Sequence, residues 1–401
     1  MKKHLMIVLL SSCLSTLLYA EVCDNQGMAG IYPCQNIDLM SHLSLSEMGG
    51  SNSESGADIW GWTDAQTGKE YAIMTMRSGT AFVDISAPDS PVYLGKLVAA
   101  TTANLWRDVK TYANYAFIVS EASGHGMQVF DLTQLRNVIS PPVIFTATTN
   151  YTQFGEAHNI VINEESGFAY AVGTNTCNGG LHMINIQNPA SPTNAGCFAS
   201  DGTTHDAQCV NYLGADVEYS GKEICFNANG DTLTIVNVSD KNNPQQLSRT
   251  GYANSRYAHQ GWLSEDQNFY LMGDELDEDA YGHNTKTYIW NVKNLDSPQL
   301  LGEYIGSKAS IDHNIYIKAN LAYLTNYTSG LSIVDISDIA NGNLYDKANF
   351  DSYPSNDGAT FDGAWSNYPF FQSGTVILSD YDSGLFVLKP NLDTIFLSGF
   401  E

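Results

Sequence analysis

The stretch LSIVDIS, residues 331–337, alternates apolar and small polar positions and then meets an acid, Asp335. Successive side chains of a strand face opposite ways, so the run predicts a short strand closed by a turn-forming residue. The pattern recurs as AFVDIS (Asp84), QVFDLT (Asp131), HMINIQ (Asn185), TIVNVS (Asn237) and YIWNVK (Asn291). A seventh run, LFVLKP, carries Val387 at that place. The spacings are 47, 54, 52, 54, 44 and 52 residues. Several copies continue into a proline and another strand, as in SPVYLGKL and SPQLLGEY. Each is preceded by an aromatic-rich strand, such as YAFIVSE or LAYLTNY, and before that by a stretch that pairs His or Arg with Asp, Asn or Gln.

One unit therefore holds about four short strands, the size of a β-propeller blade. A lone blade cannot bury both faces, so neighbouring blades must supply the core. The expected fold is all-β, a seven-bladed propeller of four-stranded blades over residues 57–390. A β-solenoid is the rival. The segment IDLMSHLSLSEM (37–48) resembles the outer strands but precedes the first blade, and the last blade lacks such a strand after LFVLKP. Residues 21–56 are thus expected to hold a disulfide segment and the strand that closes the ring.

The start reads as a signal peptide, residues 1–20: MKK is the basic region, an apolar run follows, and LYA precedes Glu21. A lipid-attachment reading at Cys13 competes with it. No later stretch is apolar enough to span a bilayer, so the mature chain is expected to lack a transmembrane segment and to be secreted, extracellular or on the cell surface. Leaving out Cys13, six cysteines remain, an even number suited to an oxidising compartment. Proximity suggests Cys23 with Cys34, Cys177 with Cys197 and Cys209 with Cys225. A metal cluster is the rival, but no CxxC occurs. Acids outnumber bases 43 to 18, a net charge of −25. Such a surface repels nucleic acid and anionic membranes. An extracellular protein or a glycan remains open as partner.

The N-terminal CDNQGMAGIYPCQNIDLMSHLSL (23–45), followed by repeats of the LSIVDIS type, resembles the choice-of-anchor B family, whose members carry LVIVD-type propeller repeats. The resemblance covers roughly residues 22–390. It implies a surface or secreted propeller and carries no biochemical activity. The tail, residues 391–401, ends in NLDTIFLSGFE, which is similar to short GFE tails of other secreted proteins; it reads as a sorting signal or as an ordinary terminus.

Stacking the innermost strands aligns two columns. One reads Asp58, Asp108, Asn159, Asp206, Gln260, Asn314 and Asp362. The column before it reads Ala57, Arg107, His158, His205, His259, His313 and Phe361. Inner strands line the channel, and alternation lets only one column point into it. If that is the histidine column, four imidazoles converge and a transition metal becomes a candidate cofactor. The structural alternative is a polar channel lining with Asx residues satisfying strand starts. The loop GDELDEDAYGH holds Asp274, Glu275, Asp277, Glu278 and Asp279; Asp277 and Asp279 with Gly282 faintly echo a calcium loop. Asp380 and Asp382 lie in a similar connection, and Glu121 and His125 in another. Nucleophile elbows, zinc-protease helices and phosphate loops do not occur. These readings favour a non-enzymatic binding or adhesion module, with a metal-dependent polysaccharide lyase or hydrolase, or a structural assembly partner, as alternatives.

Overall fold

The computed structural model describes residues 20–392. The signal-peptide reading, bar its last residue, and nearly all of the tail lie outside these. Seven sheets form the blades, and in each the repeat's own strands pair antiparallel and run in chain order from the axis outward. The inner strands are Gly56–Thr63, Arg107–Tyr112, Asn159–Asn163, Asp206–Asn211, Ala258–Leu263, Asp312–Lys318 and Ala364–Tyr368. Each touches the next, and the seventh touches the first, so the ring is closed.

The repeated run is the third strand of each blade. Its apolar residues are buried against the neighbouring blade: Ile333 joins Phe350 and Leu388 in one cluster, and Ile235 joins Tyr270 and Trp290 in another. The acid or amide at its end makes an Asx turn. In six blades the side-chain oxygen of Asp84, Asp131, Asn185, Asn237, Asn291 or Asp335 accepts the amide two residues on, at 2.8–3.1 Å. The motif is thus a strand stop written in side-chain chemistry.

The ring closes through the N-terminus, as the sequence predicts. Ile37–Leu43 pairs with Gly384–Pro390 as the fourth strand of blade seven. Just before it, Met28–Ala29 and Tyr32–Gln35 form a hairpin that extends blade six through Cys34 opposite Phe350. The three cysteine pairs are joined as expected. Cys209 and Cys225 bridge directly opposed strand positions in blade four.

Blade two departs from the repeat. Its outer strand is only Thr149–Tyr151, and the preceding Val143–Phe145 instead runs parallel to Val92–Val98 as a fifth strand of blade one. Phe145 then packs between Phe82 and Phe130, tying the two blades together.

Candidate metal centre at the propeller axis

In blades one, five, six and seven the inner strand carries one extra residue at the His/Asx pair. The bulges fall between Gly56 and Ile59, Ala258 and Gly261, Asp312 and Ile315, and Ala364 and Ser366. A bulge breaks strict alternation and re-aims side chains. Members of both columns border the axial cavity, correcting the expectation that only one would. A small axial cavity is lined by His158, His205, His259 and His313 together with Asp58, Asn159 and Asn314.

The Asx column holds the ring together. Asp108 Oδ2 accepts the Ile160 amide at 2.8 Å, and Asn159 donates to the His205 carbonyl at 3.1 Å. Gln260 bonds both the amide and the carbonyl of Ile315, and Asn314 donates to Asp58 and Ser366. Lys110 sits 2.6 Å from Asp108 and 3.9 Å from Asp58. Burial still lifts the carboxyls of Asp58 to about 7 and Asp206 to about 8, against the pull of Lys110. The seventh blade departs from the stacked columns. Asp362 is half-buried and accepts a bond from Thr360; Trp365 and Ser366 occupy the positions assigned to Phe361 and Asp362. Arg107 is buried with its guanidinium lacking a hydrogen-bond partner, and after burial it is the second cause that lowers the titration of nearby His125.

The four histidines form a continuous arc. Ring centroids lie 4.3 Å apart for His158 and His205, 4.0 Å for His205 and His259, and 4.4 Å for His259 and His313. His205 Nδ1 donates to the His259 carbonyl at 2.8 Å, and His313 Nδ1 donates to the Trp365 carbonyl. A backbone carbonyl only accepts, so Nδ1 carries the proton and Nε2 keeps its lone pair. His158 Nδ1 meets Glu121 Oε1 at 2.6 Å, whereas His259 Nδ1 is buried without a partner. Burial dominates the titration. It pushes His313 down to about 3 and lowers His205 and His259 well below the usual imidazole range, with other imidazoles of the arc adding to the shift in all three. Neutral imidazoles with free Nε2 atoms are metal ligands.

Glu275 completes the set. It enters from the loop after the second strand of blade five, Phe269–Asp274, and lies 3.7 Å from Nε2 of both His259 and His313. Ligand atoms of the three lie within 4.8 Å of one another. Burial raises the Glu275 carboxyl to about 7, opposed by a 2.9 Å bond from the Tyr327 hydroxyl. Two imidazoles and one carboxylate suit zinc or another divalent transition metal and leave coordination positions open. Above this group opens a cavity of about 370 Å³. Its walls include Trp106, Tyr327, Phe361, Trp365 and Tyr381, with Trp106 46 % and Phe361 47 % exposed at the mouth.

Sequence stacking located the four histidines. It missed Glu275 as their partner, because that residue lies in a connection rather than in a repeat column. The acidic loop folds differently from a calcium loop: Asp277–Tyr281 is a short helix ended by Gly282 at φ +71°, Asp279 is exposed, and Asp277 faces Glu278 and His283. Asp380 is buried and accepts from Ser352, and Asp382 caps the Gly363 amide; neither joins the axial group.

The LVIVD repeat family matches residues 312–349, which is blade six. No curated protein matches the chain. The Cps50 (Swd1) β-propeller domain of Myceliophteria thermophila is similar in fold, with a TM-score of 0.52 over 80 % of this chain and 93 % of that one at 10 % identity. In all, 1083 solved chains match, so the likeness speaks for architecture alone. Among the described residues no helix is long and apolar enough to cross a membrane. The chain is an all-β, seven-bladed propeller with an LVIVD repeat, and its three disulfides suit an extracellular protein.

Proposed function

We propose that this propeller is a secreted or surface-displayed binding module of the choice-of-anchor B type, and that its ligand site is the axial cavity. The observation that carries the reading is the convergence of His259, His313 and Glu275 beneath a mouth lined by exposed aromatic rings. Large apolar rings left half in water mark contact surfaces, and flat aromatic faces suit the apolar faces of sugar rings. The ligand class is an extracellular glycan, or a protein segment offering an equivalent donor. A divalent transition metal on the two histidines and Glu275 would anchor an oxygen of that ligand, while Trp106 and Phe361 hold its body. The chain's charge of −25 favours a neutral glycan over an acidic one.

A metal-dependent lyase or hydrolase is the second reading. It is favoured by the open coordination side of the His/His/Glu group. A metal there would acidify a bound water or a sugar proton.

Metal content of the dialysed mature chain tests the site, beside a His259→Ala/His313→Ala variant with an unchanged circular dichroism spectrum. We expect one transition metal fewer per chain in the variant. A glycan array should then show binding that Trp106→Ala and Phe361→Ala each weaken at least tenfold. Equal metal content in both proteins would remove the metal from the reading, and glycan binding indifferent to the rim would remove the axial ligand site. Release of reducing ends or unsaturated sugars from a bound glycan would move the reading to the enzyme.

A further inference from the structure

A second group of ligating side chains lies on the same connection of blade five, beyond Glu275. Asp277 and Glu278 are 0 % and 1 % exposed, and their carboxylate oxygens gather within 4.8 Å of a ring nitrogen of His283. Several polar atoms here have no partner. Asp277 Oδ2 accepts from the Tyr288 hydroxyl at 2.7 Å, but Oδ1 is buried and unbonded. Glu278 Oε1 accepts the Lys286 amide at 3.1 Å, but Oε2 is buried and unbonded. His283 Nδ1 donates to the Asn284 carbonyl at 2.8 Å, which leaves the lone pair on Nε2. That Nε2 is buried, without a hydrogen bond, and 3.6 Å from Asp277 Oδ2.

Acceptors facing acceptors in a dry site repel unless a proton or a metal cation lies between them. The neighbourhood makes the imbalance worse. Asp312, at the start of blade six, is 3 % exposed with neither carboxylate oxygen bonded. Gly273 leaves it room, since a Cβ there would stand 2.3 Å from Asp312 Oδ2. Against these carboxylates stands Lys286, whose Nζ is 3.9 Å from Asp277 and is shared with Glu303 at 3.6 Å. Uncompensated buried charge of this kind is expensive, and a bound cation is one way to relieve it.

We infer that Asp277, Glu278 and His283 form a second metal site, structural in role, between blades five and six. The nitrogen ligand selects a borderline transition ion such as zinc or nickel over calcium, which takes oxygen ligands. The site would fix the segment that begins with Glu275 and so hold that carboxylate toward the axis, although metal at this site does not require metal at the axial one.

The test uses the folded His259→Ala/His313→Ala chain, so that the axial histidines do not contribute. After chelation and dialysis it is titrated with Co²⁺, followed by calorimetry and the visible cobalt spectrum. We expect about one Co²⁺ per chain, a nitrogen-ligand spectrum and a raised Tm, since a ligand that binds only the folded state stabilises it. Adding His283→Gln, a half-buried position that should tolerate the change, is expected to weaken binding at least tenfold; adding Glu278→Gln should do the same. No Co²⁺ binding by the axial variant would overturn the inference, as would binding that neither further substitution alters. Preference for Ca²⁺ with indifference to His283→Gln would also overturn it. If the axial reading fails but this titration succeeds, the second site stands alone.

Discussion

His125 shows how burial alone writes a pH response at one residue. It is 1 % exposed, its Nδ1 meets the Gly126 carbonyl at 3.0 Å, and its Nε2 has no partner. Burial first, and the Arg107 guanidinium second, push it down to about 4 from the usual 6.5. The folded chain therefore resists a proton that the unfolded chain accepts. The resulting stability is present above pH 6.5 and is lost as the pH falls toward 4. From those two values the loss between pH 7 and pH 5 is about 2 kcal/mol. His125→Phe should remove that share, so urea unfolding of the variant should decline less between these pH values than the parent's. Equal declines would mean His125 titrates alike in both states. Residues of this sort were only half legible. The sequence placed His125 in a blade connection, but its burial and its neighbour Arg107 come from the fold. The Asx turns were legible because their partner is two residues away. Glu275 was not, because its partners His259 and His313 belong to other strands.

At the scale of elements, the third strands could be read because their burial repeats with the chain. Blade two could not be read in the same way. Its SPPVIFTATTNY segment (140–151) supplies two short outer strands, to different blades, where other copies supply one. Parallel edge pairing leaves no turn signal in the sequence. Its mark is Gly95, at φ +146° opposite Val143, where a Cβ would stand 2.0 Å from the Val143 carbonyl oxygen. Gly95→Ala should therefore displace Val143–Phe145 and uncover Phe145, at a cost of about 1–3 kcal/mol. Hydrogen exchange should rise at Ile144 and Phe145 while the inner strand of blade one stays protected; unchanged exchange there would mean the edge yields without detaching. Register in blade seven was lost for a related reason. Phe361–Asp362 mimics the His/Asx pair in the sequence, yet the bulge places Trp365 and Ser366 at the ring.

For the whole molecule, closure depends on one seam. Blade seven takes its outer strand, Ile37–Leu43, from the far end of the chain, and Leu39 and Leu388 share a core cluster with Ile333 of blade six. That closure was legible because a propeller with a missing outer strand and a spare strand at its other end has one economical solution. What the ring does was less legible, since a site made of residues from several blades exists only after closure. Without residues 21–43, Gly384–Pro390 would become a bare edge, and bare apolar edges recruit other chains. A chain starting at Ser44 should elute as oligomers and unfold at a lower temperature. A synthetic peptide of residues 36–48 should restore the parent's elution by filling the edge. The Cys23–Cys34 bond staples the segment but does not form the seam, so mild reduction of that bond should leave the full chain's elution unchanged. A truncated chain that keeps the parent's elution and Tm would show that blade packing closes the ring without the strand. The axial arc gives the same test a functional readout. It draws His158, His205, His259 and His313 from four successive inner strands, so on the proposed axial reading an open ring should bind less metal, and the peptide should restore the binding.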